Sequence, residues 1–89
     1  MTSEEKQQRF IKVSQEVSYQ CKKFRQDVLK ISVRDLANLT GYSTNDIYSF
    51  ESNRTRNLVI LFDCYLMPAD IDQQLQLLRK IRKGANAND

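Results

Sequence analysis

The sequence predicts an all-α domain, and three observations lead to this prediction. Only two glycines and one proline occur in 89 residues, whereas an all-β chain of this length would need many more turns. Apolar residues recur in steps of three and four along most of the chain, which is the spacing of one helical face. Residues that cap helices precede several of these apolar runs. We therefore predict a compact five-helix domain with an extended helical segment at its N-terminus.

The composition is that of a small globular protein. Hydrophobic residues make up 40% and charged residues 28% of the chain, which is ordinary for a folded domain. The net charge of +3 and the pI of about 9.0 are compatible with a nucleic-acid partner but do not require one. No apolar run approaches the roughly 18 residues of a membrane span, and the first residues are too polar for a signal peptide. We therefore expect a cytoplasmic protein without a membrane partner.

The sequence contains no pattern typical of catalysis or of metal binding. The chain has two cysteines, Cys21 and Cys64, and no histidine, which is too few ligands for a structural zinc site. Both cysteines fall among apolar positions, so we expect buried reduced thiols. We find no Ser–His or Cys–His pair and no phosphate-binding glycine loop. We expect neither an enzyme nor a cofactor.

The N-terminal third carries a single apolar stripe. Ser3, followed by Glu4 and Glu5, is a candidate helix start. The stripe advances in steps of three and four residues and consists of Phe10, Val13, Val17, Cys21, Phe24 and Val28. Residues 3–30 can form one long helix, or two helices if Ser14 or Ser18 caps the second. The sequence does not decide between these arrangements.

Four further helices are indicated by their caps. Ser32 is a candidate N-cap for a helix over 33–39 that Gly41 ends, and Ser43 with Asp46 begins the next one. Asn53 tolerates the left-handed conformation that would end this third helix. A fourth helix over 58–66 is apolar nearly all round, so we expect it to be the most buried element. The fifth runs from 71 to about 83, and its predicted inward face is Ile71, Leu75, Leu78 and Ile81. Gly84 closes it, and residues 84–89 are expected to be a disordered tail.

The most informative pattern lies within residues 31–54. Ala37 is small enough for two helices to approach closely, and Gly41 follows four residues later at the turn. The pattern then continues with Ser43, Ile47, Phe50 and Glu51. It resembles the helix-turn-helix of the phage-repressor family, also called the Cro/repressor or XRE-like family. The resemblance implies a five-helix helix-turn-helix domain over 17–83, preceded by an extension over 1–16.

The resemblance also implies a DNA-binding surface. The helix over 44–52 would enter the major groove. Its base-contacting residues would be Thr44, Asn45, Tyr48 and Ser49, and the amide of Asn45 suits a bidentate contact with adenine. Phosphate contacts would come from Ser32, Ser43, Arg54 and Arg56.

One structural pair is implied in the same way. Family members often pair an Arg on the first helix with the Glu near the end of the recognition helix, and Arg25 and Glu51 stand at those places. A partly buried ion pair there would hold the recognition helix against the domain. The alternative is two independent surface charges.

The sequence also departs from the family. Many members have Gln at the positions of Val33 and Thr44, and the recognition helix contains Asp46 and Glu51 but no Lys or Arg. A carboxylate facing the groove would be repelled by phosphates, unless Asp46 is used to cap its own helix. The resemblance favours a sequence-specific transcriptional regulator, typically a repressor of a phage or mobile element. The alternative is a protein-binding helical module, such as an antirepressor, that uses the same fold.

A homodimer is expected, because one small helix pair gives too little interface for tight specific binding to DNA. Two apolar stripes are candidate dimer interfaces. One lies on the N-terminal helix and consists of Phe10, Val13 and Val17. The other lies on the last helix and consists of Leu75, Leu78 and Ile81, with Leu77 beside it. Either arrangement would place two recognition helices about 34 Å apart, one turn of DNA.

Overall fold

The computed structural model describes residues 2–86, and every regular element among them is helical. The elements are α1 (Ser3–Phe24), a π-helical segment π1 (Arg25–Leu29), α2 (Val33–Thr40), α3 (Thr44–Glu51), α4 (Leu58–Ile60), a second π-helical segment π2 (Leu61–Leu66) and α5 (Ile71–Ala85). The radius of gyration is 13.3 Å, close to the roughly 13 Å of a compact domain of about 100 residues. The prediction of a compact all-α fold is confirmed.

The N-terminal stripe forms one continuous helix. Thr2, and not Ser3, is the N-cap of α1, because its hydroxyl accepts a hydrogen bond from the Glu5 N–H while the Glu5 carboxylate accepts one from the Thr2 N–H. Ser14 and Ser18 lie inside α1 without interrupting it. The chain leaves π1 at Lys30, which adopts a left-handed conformation with φ +56°. The proposed boundary between residues 16 and 17 therefore falls within one helix.

The turn between α2 and α3 has the predicted backbone. Gly41 has φ +82° and its N–H donates to the carbonyl of Ala37 at 2.9 Å. An L side chain is strained in this left-handed region, which explains why glycine stands at this position. Ala37 is buried at the contact between the two helices, and Ile47 and Phe50 of α3 are buried with it. Asn53 ends the turn after α3 in the left-handed conformation, with φ +62°.

The segment over 58–66 was expected to be the most buried element, and this expectation is wrong. Leu58, Val59 and Phe62 are 70%, 56% and 53% exposed. The inward side carries Ile60, Cys64 and Tyr65. The segment packs on the rest of the domain by one side, because so small a domain has too few elements to cover a helix all round.

The last helix also turns a different face to the core than predicted. Leu77, Ile81 and Ala85 are buried, whereas Ile71, Leu75 and Leu78 are exposed. The helix continues through Gly84 to Ala85, so the predicted tail is wrong for these two residues. Contacts with α1 hold this last turn, since Nη1 of Arg9 donates to the carbonyl of Ala85 at 3.2 Å. Residues 87–89 of the predicted tail lie outside the described residues.

Gly84 contributes to this packing through its missing side chain. A Cβ at this position would overlap the carboxyl group and Cγ of Glu16 on α1. The carboxylate of Glu16 is itself held by Nε2 of Gln20 at 3.0 Å. Gly84 therefore permits the close approach of α5 and the Glu16 side chain, and does not end the helix.

The core lies where α1, α3 and π2 meet. Phe50 and Tyr65 stack there with ring centroids 5.6 Å apart, and both side chains are almost completely buried. Cys21 and Cys64 are buried beside them as free thiols. No helix among the described residues combines the length and the apolar character needed to cross a bilayer.

Candidate nucleic-acid interface

Helix α3 presents a polar face to solvent. Thr44, Asn45 and Tyr48 are exposed, and Tyr48 has 60% of its surface accessible. Ser49 is only half-buried, and its carbonyl accepts hydrogen bonds from the N–H groups of Arg54 and Thr55 at 2.8 and 3.3 Å. Three of the four predicted base-contacting residues are thus fully available, and the fourth borders the following loop.

The start of α3 is a complete capping box. The Ser43 hydroxyl accepts from the Asp46 N–H at 3.0 Å, and the Asp46 carboxylate accepts from the Ser43 N–H at 3.4 Å. A carboxylate in the first turn is stabilised by the positive end of the helix dipole. Asp46 is therefore used in capping its own helix. The same box leaves Ser43 with its hydroxyl proton, and not its backbone N–H, for a phosphate contact.

A buried polar network holds α3 against the domain. Nε and Nη2 of Arg25 donate to the two carboxylate oxygens of Glu51 at 2.8 and 3.0 Å, in a bidentate pair. Nη1 of Arg25 donates to the carbonyl of Ile31 at 2.9 Å, and the hydroxyl of Tyr65 donates to Glu51 at 2.7 Å. The side chains of Arg25 and Glu51 are only 8% and 4% exposed. The ion pair implied by the resemblance is formed, and the reading of two independent surface charges is wrong.

The titration of this network follows from burial and charge. The hydrogen bond to Glu51 raises the pKa of Arg25 further, so the guanidinium stays charged. Burial, and then the hydrogen bond to Glu51, raises the pKa of Tyr65 well above its usual range. Both donors therefore keep their protons over the physiological range.

A second contact fixes the turn between α2 and α3. The hydroxyl of Tyr42 donates to the Asp63 carboxylate at 2.7 Å, which raises the pKa of Tyr42 to about 12. Nearby, Thr40 donates to the carbonyl of Leu36 at 2.7 Å. The turn is thus tied to π2 by a contact that the sequence analysis did not identify.

The loop after α3 contacts the N-terminal part of α1. The Ser14 hydroxyl donates to Oδ1 of Asn53 at 2.7 Å. Arg56 lies over the ring of Phe10, with Cζ 5.5 Å from the ring centroid, and its Nε donates to Ser14 at 2.9 Å. Arg54 is exposed, and its side chain has no hydrogen-bond or ionic partner within residues 2–86. The two predicted phosphate-contacting arginines therefore differ, since only Arg54 is unengaged.

The start of α2 forms a second candidate phosphate-contacting region. Ser32 caps the helix by accepting from the Asp35 N–H at 3.1 Å. Lys30 and Arg34 flank this cap and are exposed. Neither residue was predicted from the sequence, although basic residues on both sides of a helix start are a recognisable signal for an anion contact.

Comparison with protein-family models, with curated proteins and with solved structures gave no match. Within residues 2–86 there is no group of three or more His, Cys, Asp or Glu side chains that could hold a metal ion. The candidate site is a short helix with an exposed uncharged polar face, held on its buried side by the Arg25–Glu51 ion pair.

Proposed function

We propose that this chain is a sequence-specific DNA-binding transcriptional regulator of the phage-repressor type, typically a repressor of a phage or mobile element. One observation carries the proposal. Helix α3 exposes Thr44, Asn45 and Tyr48 on a helix that Arg25 and Glu51 lock from the buried side. Hydrogen-bonding side chains on a rigidly held helix are what direct readout of a major groove requires. No catalytic step is proposed.

The residues divide into two classes of contact. Asn45 reads an adenine through its amide, while Thr44, Tyr48 and Ser49 contact neighbouring base edges or thymine methyl groups. Arg54, Ser32 and Ser43 contact phosphates. Arg56 does so through its two amino groups, because only its Nε is bonded to Ser14. The phosphate contacts give affinity and the base contacts give sequence preference.

A homodimer on a two-fold symmetric operator is part of this proposal. Ile71, Leu75 and Leu78 are spaced by four and three residues on α5, so they form one exposed apolar stripe. Ile81 is buried against the domain, so it is not available for the predicted C-terminal interface. Val13 and Val17 of the N-terminal stripe are half-buried. We therefore favour α5, and we expect Leu78→Glu to convert the dimer to a folded monomer in sedimentation experiments at tens of micromolar.

The direct test is binding to duplex DNA as salt is varied. Anisotropy of a labelled random duplex is expected to show binding at low salt that weakens steeply as salt rises. Selection from a random duplex library then supplies the operator. On that operator Asn45→Ala should cost about 1–3 kcal/mol and relax the preference at one position. Arg54→Ala, the matched control, should weaken all duplexes equally. No binding to any duplex at low salt would refute the proposal.

A second candidate is a protein-binding helical module, such as an antirepressor. The observation that favours it is the exposed apolar set of Leu58, Val59 and Phe62, together with the lack of Lys or Arg between residues 43 and 53. Exposed contiguous apolar surface marks protein interaction sites. This candidate predicts binding that depends little on salt and survives Arg54→Ala, which separates it from the first.

A further inference from the structure

An apolar groove lies between α1 and the loop that follows α3. Its floor is formed by the half-buried Val13 and Val17 and the buried Phe50, and Phe10 and Leu58 stand exposed at its rim. The cavity volume is about 270 Å³ and its lining is almost entirely apolar. This is just below the roughly 300–1,000 Å³ of typical small-molecule sites. A molecule of liquid water has one non-hydrogen atom and occupies roughly 30 Å³, so a ligand of about nine non-hydrogen atoms would fill the groove.

The charged group of this groove is only partly used by its neighbours. The hydroxyls of Ser14 and Ser18 donate to Oδ1 of Asn53 at 2.7 and 3.4 Å. Arg56 uses Nε for Ser14 and lies on the Phe10 ring, so the four N–H bonds of its two amino groups remain. No Asp or Glu lines the groove, and Arg56 has no carboxylate partner within residues 2–86. The groove thus offers an apolar floor and an unneutralised guanidinium at its rim.

We propose that this groove binds a small monocarboxylate with an apolar body. The carboxylate pairs with the amino groups of Arg56, and the hydrocarbon lies against Val13, Val17 and Phe50. A guanidinium is well suited to a carboxylate because its N–H groups match both oxygens. A neutral apolar molecule would leave the guanidinium unused, and a dianion would place a second charge against the apolar floor.

The position of the groove gives the ligand a regulatory role, and this second part depends on the proposed function. Phe50 belongs to α3, and Arg56 is one of the proposed phosphate contacts. A bound carboxylate would occupy the same amino groups that a phosphate needs. We therefore expect the ligand to lower the affinity for duplex DNA.

Octanoate, with ten non-hydrogen atoms, is the probe, and binding is followed by amide chemical shifts of the intact free chain. We expect saturable shifts at Val13, Val17 and Arg56, and weaker binding of the neutral probe 1-octanol. Arg56→Gln should weaken octanoate about fivefold, the upper range for an exposed ion pair. Arg79→Gln removes an exposed arginine on α5 and should leave the affinity unchanged. Val13→Phe fills the groove and should abolish binding while the helical circular dichroism is retained.

Any of the following results would overturn the proposal. The first is the absence of groove shifts up to 20 mM octanoate. The second is equal binding of octanoate and 1-octanol, or an affinity that Arg56→Gln does not change. The third is groove shifts on dilution without octanoate, which would assign the groove to a second copy of the chain. These measurements contain no DNA, so they remain valid if the chain proves not to bind DNA. Saturating octanoate that leaves duplex affinity unchanged would overturn only the regulatory part.

Discussion

Replacing Glu51 by Gln tests whether the buried network fixes α3. The Glu51 carboxylate accepts two hydrogen bonds from Arg25 and one from Tyr65, whereas a glutamine has a single side-chain oxygen. The NH₂ group of the glutamine would therefore face at least one N–H or O–H donor, and no hydrogen bond could form between them. The loss of one hydrogen bond to a charged group costs about 1.5–3 kcal/mol. The Arg25 guanidinium would also stay buried without a counter-charge, which brings the expected cost to about 3–5 kcal/mol.

Urea denaturation followed by helical circular dichroism measures this cost. Tyr65→Phe is the matched control, since it removes one donor to the same carboxylate but leaves the ion pair, and it should cost about 1–3 kcal/mol. The double variant Arg25→Met with Glu51→Met should be less destabilised than Glu51→Gln, because it leaves no buried charge unpaired. A loss of under 1 kcal/mol for Glu51→Gln would show that water screens the pair and would refute the reasoning.

Two further predictions concern packing and pH. Gly84→Ala should change stability little in the native chain, because the gain in helix propensity is offset by overlap with the Glu16 side chain. In the Glu16→Ala background, where this overlap is absent, the same substitution should raise stability by about 0.5–1 kcal/mol. Destabilisation in both backgrounds, measured by urea denaturation, would contradict this. The pKa of Tyr42 is raised to about 12 by its hydrogen bond to Asp63, and that of Tyr65 is raised by burial. The stabilisation that each protonated tyrosine gives the folded state is complete below the unfolded pKa of about 10. It is lost as pH rises through the pKa of that tyrosine in the folded state. The free energy of unfolding should therefore fall between pH 10 and 12, and less steeply in Tyr42→Phe; equal slopes would count against this coupling.

The caps and the turn were predictable from the sequence because they depend on neighbouring residues. Ser32 and Ser43 each cap the helix that was predicted to begin after them, and Gly41 has the positive φ that a sharp helix end needs. Each of these features is decided within three or four residues of chain. The pattern of the described helices was therefore correct in order and close in boundaries.

The covered faces of the last two helices were not predictable in the same way. Leu75, Leu77 and Leu78 are equally apolar, yet only Leu77 is buried. Periodicity indicates that a face exists, but the neighbouring helix decides which face is covered. The candidate site shows the same limit. Ser14 and Arg56 are 42 residues apart in the chain, and their hydrogen bond has no local signal.

The two buried thiols can report local opening of the domain. Cys21 lies on α1 and Cys64 on π2, and both have no exposed surface. Burial also raises the pKa of each thiol, so neither reacts with an electrophile while the fold is closed. The alkylation rate of each cysteine therefore measures how often its own helix detaches. With the other cysteine replaced by alanine, each rate would show whether α1 and π2 open together or one before the other.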